Sequence, residues 1–119
     1  MKGESFDIPE NVPSDLFVDF DAFNIEDAGD DIWAAWLRLQ RSVPDIFWTP
    51  RNGGHWVAMR SPEIEDMQAN WQQFSNTNFL LPEVQRPFTL MPLGVDPPMH
   101  TEIRALISPV FTPKEVQRL

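Results

Sequence analysis

The chain has 119 residues, no cysteine, no tyrosine and a formal net charge of −9. That length bounds it to one small domain, the missing cysteines exclude a disulfide framework, and the acidity excludes the basic face a nucleic-acid partner needs. No apolar run approaches the roughly 18 residues of a membrane span, and no basic-then-apolar leader opens the chain, so a soluble cytoplasmic protein is expected.

Charge divides the chain. Residues 1–31 hold ten acids against Lys2, the whole net charge, while residues 32–119 hold eight acids and eight Lys or Arg. The leader, residues 1–30, intersperses its acids with Ile8, Val12, Leu16, Phe17, Phe20 and Phe23. It is predicted to be an extended, irregular arm lying over a body, the alternative being a docking strip for a basic partner. A helix follows at about residues 28–41, with Ile32, Trp36 and Leu39 as its stripe, widened by Trp33 and Ala35, and Pro44 as its stop. Two aromatic and β-branched runs, 45–49 and 55–60, then flank Pro50-Arg51-Asn52-Gly53-Gly54, which predicts a β-hairpin. His55 has no second ligand candidate near it, so no metal site is expected.

Ser61-Pro62-Glu63 opens a second predicted helix, about 61–74. Ile64, Met67, Trp71 and Phe74 form its core-packing face. Between Phe74 and Asp96 runs an apolar loop rich in proline. A structureless loop of that length is commonly functional, and its apolar side chains should cover a cavity or a partner. Asp96 is a good N-cap, and Pro97 and Pro98 suit a first helical turn. Met99, Ile103, Leu106 and Val110 then fall on one helical face. His100 and Arg104, four apart, share a neighbouring face and can meet one anion together, a carboxylate or a phosphate. The plainer reading is a local cap and a solvated charge. Thr112-Pro113-Lys114-Glu115 opens a further helix, with Val116 and Leu119 beginning an apolar face. A helix that stops after seven residues reads as interrupted, because nucleation is costly.

The run Gly94-Val95-Asp96-Pro97-Pro98-Met99-His100-Thr101-Glu102-Ile103-Arg104-Ala105-Leu106, with Phe111-Thr112-Pro113 after it, resembles the helix-C signature of soluble bacterial cytochrome P-450 enzymes. Gly54-His55-Trp56-Val57-Ala58-Met59-Arg60 resembles a strand of that family's first sheet, and the Phe74-Ser75 ending resembles its helix B. The resemblance covers about residues 30–119. It implies a mainly α fold with a small β-hairpin, an α+β arrangement forming the N-terminal, incomplete portion of the cytochrome P-450 fold. Residues 31–119 would then supply helices A, B and C, the first hairpin, the B–C loop and the start of helix D.

The resemblance also implies site residues. His100 and Arg104 would bind a propionate of haem b, and the B–C loop would line a substrate pocket, with Phe79, Leu81, Phe88 and Leu90 as its wall. Glu102 departs from the pattern, since many relatives carry Arg there. The family's axial Cys thiolate, which favours O–O cleavage, has no counterpart in this chain. The expected parent is a haem-thiolate monooxygenase acting on a small apolar, terpenoid-like substrate, with electrons from a ferredoxin-type partner. The 119 residues alone are expected to be inactive. The alternative is a stand-alone acidic module that binds a hydrophobic ligand or protein without catalysis.

Overall fold

The computed structural model describes residues 6–26, 28–85 and 87–118. The acids Glu4 and Asp27, the lysine at position 2 and the apolar Leu119 of the sequence reading lie outside the described residues. Two compact units divide the chain, residues 1–66 and 67–119.

In the first unit, helix α1 spans Ile32–Ser42. It begins with the first residue of its apolar stripe, later than the expected start at about residue 28, because Asp31 caps it: the carboxylate accepts the Ala34 N–H at 3.0 Å. It ends at Val43, whose extended backbone is what a following proline imposes. Strands β1 (Ile46–Thr49) and β2 (His55–Ala58) pair antiparallel, with Phe47 opposite Val57 and Trp48 opposite Trp56. The turn between them places Asn52, Gly53 and Gly54 at φ of 55°, 94° and 75°. These are left-handed conformations that Asn and Gly tolerate best. Gly54 is also fixed by space, since a Cβ there would sit 2.8 Å from Trp48 Cζ2.

The acidic leader packs onto this hairpin. Phe17 bridges Trp48 in parallel register, and the Val18 N–H donates to the Trp48 carbonyl at 3.0 Å. Phe20 enters a core with Phe47 and Met59, ringed by Val18, Ala22, Ile25, Trp36, Leu39, Val43 and Val57. Its ring meets Trp36 and Phe47 edge-on at 5.5 and 5.8 Å. The buried Thr49 hydroxyl donates to the Phe20 carbonyl at 2.6 Å and accepts the Phe20 N–H at 3.1 Å. The leader thus sends Val12, Phe20 and two backbone groups inward, while its described acids are exposed or, at Asp21, half-buried. Two of those acids hold the hairpin turn. Arg51 reaches Asp19 through both carboxylate oxygens, at 2.6 and 2.9 Å, and Asn52 donates to Asp21 at 3.1 Å.

Helix α2 spans Ser61–Ala69, five residues short of the predicted end. Trp71 and Phe74, expected in the core, are 41% and 43% exposed and lie beyond the helix among hydrogen-bonded turns. The apolar period continues through them, but the face is open along its length, with Ile64 exposed and Met67 half-buried, and a helix this short depends on packing to propagate. From Asn70 to Pro98 the described residues form no regular element.

Helix α3 spans Met99–Ile107, a 3-10 turn covers Ser108–Phe111, and α4 spans Pro113–Val116. Thr112 caps α4 as its sequence signature requires, its hydroxyl accepting the Glu115 N–H at 3.4 Å. α3 begins differently from expectation. Pro98, not Asp96, holds the N-cap position, and no side chain caps the helix. The predicted face of α3 is open: Met99, Leu106 and Val110 are 49%, 79% and 65% exposed. Among the described residues no helix is long and apolar enough to cross a membrane.

Candidate functional site

The two donors of the sequence reading stand on α3 at positions 100 and 104, one helical turn apart on the same side. His100 is half-buried and Arg104 exposed. No ion pair or side-chain hydrogen bond among the described residues engages either one. A guanidinium and an imidazole one turn apart, with no protein carboxylate bonded to them, can accept an incoming carboxylate with charge-assisted bonds. That donor set suits a haem propionate. No group of three or more His, Cys, Asp or Glu among the described residues is placed to hold a metal ion.

Asp96 sits one turn before His100 and does something its N-cap appearance did not suggest. Its main-chain carbonyl accepts the His100 N–H at 3.1 Å. Its carboxylate turns instead to the far end of the preceding loop, accepting the Asn76 N–H at 2.9 Å and the Ser75 hydroxyl. The Asn76 amide and the Ser75 hydroxyl hold the Asp96 carboxyl below the usual carboxylate range, with His100 adding a smaller pull in the same direction.

The four apolar residues assigned to the loop differ in exposure and surroundings. Phe79 turns toward the loop base, where its Cε1 lies 3.2 Å from the position a Cβ on the buried Gly94 would occupy. Leu81 is half-buried, and Leu90 is 41% exposed. Phe88, 62% exposed, edges a cavity of about 300 Å³ formed by loop residues. That cavity is otherwise lined mainly by polar side chains, among them Thr77, Asn78, Glu83, Gln85 and Thr89. Ser75, Asn76 and Gly94 were missed as site-shaping residues. The Ser75 and Asn76 contacts with Asp96 span about twenty positions and leave no periodic trace, although Ser75, Gly94 and Asp96 each lie within a motif of the sequence.

In the first unit, His55 flanks the hairpin turn opposite Thr49. Its Nδ1 is buried without a hydrogen-bond partner, and burial lowers the imidazole pKa, an effect the Arg51 backbone partly offsets.

No protein-family profile matches the chain. It is similar to the probable cytochrome P450 127A1 of Sinorhizobium fredii (strain NBRC 101917 / NGR234), at 28% identity over 94% of this chain and 29% of that protein. The chain therefore spans under a third of the length of this curated relative. Among solved structures it superposes on CYP101J2 with a TM-score of 0.80 at 36% identity, covering 96% of this chain and 30% of that one. CYP101C1 gives a TM-score of 0.79 at 28% identity, covering 94% of this chain and 28% of that one.

Proposed function

This chain carries a partial cytochrome P450 fold, and on that premise we propose that it forms the N-terminal part of a haem-thiolate monooxygenase and supplies one side of the haem-carboxylate clamp. One observation carries the reading: His100 and Arg104 share a side of α3 with no protein acid bonded to either. Their role is to bind and neutralise a haem propionate, and neither takes part in electron transfer. When bound, haem carrying a thiolate ligand would supply O₂ activation, and with no cysteine in these 119 residues that ligand would come from outside them. A charge-assisted hydrogen bond contributes about 1.5–3 kcal/mol, so loss of Arg104 weakens haem retention by roughly ten- to a hundredfold before it touches a chemical step.

The 76–95 loop is the substrate-facing segment, with Phe79, Leu81, Phe88 and Leu90 as its apolar side chains. Thr89 and the flanking Ser75 and Thr77 are its hydroxyls, and the chain has no tyrosine. The substrate class is accordingly a small, largely hydrocarbon molecule such as a terpenoid. The parent acts in the cytoplasm with electrons from a ferredoxin-type protein. The 119 residues alone are inactive.

The test is spectroscopic. The product of the full reading frame containing this chain, reduced under CO, should show a thiolate-type Soret band, and its absence would contradict the assignment. The 119-residue chain with hemin should show no such band; one that did would overturn the claim that the thiolate lies elsewhere.

A further inference from the structure

One carboxylate ties the two ends of the 76–95 loop together. Asp96 receives the Ser75 hydroxyl, 21 residues back, and the Asn76 N–H. Ser75 Oγ in turn accepts the Thr77 N–H at 3.2 Å and pairs with the Thr77 hydroxyl at 2.9 Å. Just inside this neck Gly94 donates its N–H to the Leu90 carbonyl at 2.7 Å. The absence of a Cβ on Gly94 leaves room for the Phe79 ring. The neck is therefore closed by a polar tie and, one layer in, by a ring lying against a glycine. Asp96 belongs to both the neck and the helix, because its carbonyl accepts from His100 N–H in the first turn of α3.

We propose that Asp96 is a positioning residue whose carboxylate closes the neck of the 76–95 loop and thereby sets the lie of both Phe79 and the first turn of α3. The chemistry suits a carboxylate: it accepts only, and here two donors converge on its two oxygens. Pinning the ends of a long loop removes most of the conformations open to its apolar side chains, so a ligand would meet a surface already arranged. The functional weight of this tie rests on the loop's assignment as the substrate-facing segment. The tie itself can be read without haem or substrate, so its failure and the failure of that assignment are separate results.

The test is residue-resolved hydrogen exchange on the full-length protein that contains this chain, read at Gly94 and His100. Neither amide bonds to the Asp96 carboxylate, so neither responds to simple loss of a local partner. Asp96→Ala should raise exchange at both by about tenfold, and Ser75→Ala by about fivefold, the scale of one hydrogen bond, with β1 and β2 amides unchanged. Ser75→Thr restores the hydroxyl and should return Gly94 and His100 to the wild-type rate. Unchanged exchange at both amides in Asp96→Ala would overturn the proposal. If Asp96→Ala also strips protection from β1 and β2, the Ser75 pair decides: rescue by threonine supports the tie, and equal rates in the alanine and threonine variants overturn it.

Discussion

Residues 6–66 and residues 67–118 have apolar side chains in similar abundance, but only the first region builds a buried cluster from them, even while leaving Phe23, Ile32, Trp33 and Leu37 exposed. In the first region, leader, helix and hairpin bring apolar faces against one another, and Phe20, Ala35, Phe47 and Met59 are buried. In the second, the only buried residue among those described is Gly94. α3 presents Met99 and Leu106 outward, and Phe111 and Val116 after it are 73% and 53% exposed. The lesson concerns amphipathic pattern: it states which face an element will bury but does not supply the surface to bury it against. The first region contains its own counter-surface, whereas for the second the proposed parent fold supplies it.

The sharpest way to break that contrast is to excavate the first region. Phe47 is fully buried, so Phe47→Ala should destabilise the chain by about 3–5 kcal/mol in denaturant titrations. A change under 1 kcal/mol would show that this core is not the source of stability. Thr49→Val comes next. It removes the hydroxyl that satisfies both backbone groups of Phe20 and should cost about 1–3 kcal/mol, because those groups stay buried without a partner.

Acid should loosen the leader more gently. The Arg51 hydrogen bond holds the Asp19 carboxyl below its ordinary value. A lowered folded pKa means that the unfolded chain takes up the proton first. The contribution is complete above the ordinary carboxylate range, about pH 4, and is lost as pH falls through the lowered folded value. For a pair this exposed it should be about 1 kcal/mol or less. Arg51→Ala should therefore flatten the acid limb of a stability–pH curve, and an unchanged limb would show that the pair does not hold the leader. The smallest effect belongs to the second region. Leu106, 79% exposed, should change stability by less than about 0.5 kcal/mol when replaced by alanine. A large loss there would mean that the α3 face is already buried in this chain.

The parts legible in the sequence were those written in local chemistry. Pro44 stopped α1, Asn52-Gly53 marked the hairpin turn, and Thr112-Pro113 with Glu115 opened α4. The mainly α fold with one small hairpin, as the N-terminal portion of the cytochrome P450 fold, was implied by the resemblance of the helix-C and hairpin motifs to that family and is borne out by the structural relatives. What was not legible depended on distant partners. Trp71 and Phe74 keep the phase of α2, yet nothing local says that the helix ends at Ala69. Asp96 has the identity of a cap, and only the folded chain shows its carboxylate given to Ser75 and Asn76. Phe20 sits in a leader without periodicity, so its place in the core depends on Phe47 and Trp36 meeting it.

The central claim is that His100 and Arg104 recognise a carboxylate of the cofactor, not merely its bulk. It is tested most directly by measuring, in the full-length protein that contains this chain, the affinity for haem and for haem dimethyl ester, whose two carboxylates are blocked. His100→Ala and Arg104→Ala should each weaken binding of haem by roughly tenfold or more while leaving binding of the ester unchanged. Equal losses for haem and ester would contradict the clamp and reduce both residues to structural parts of α3.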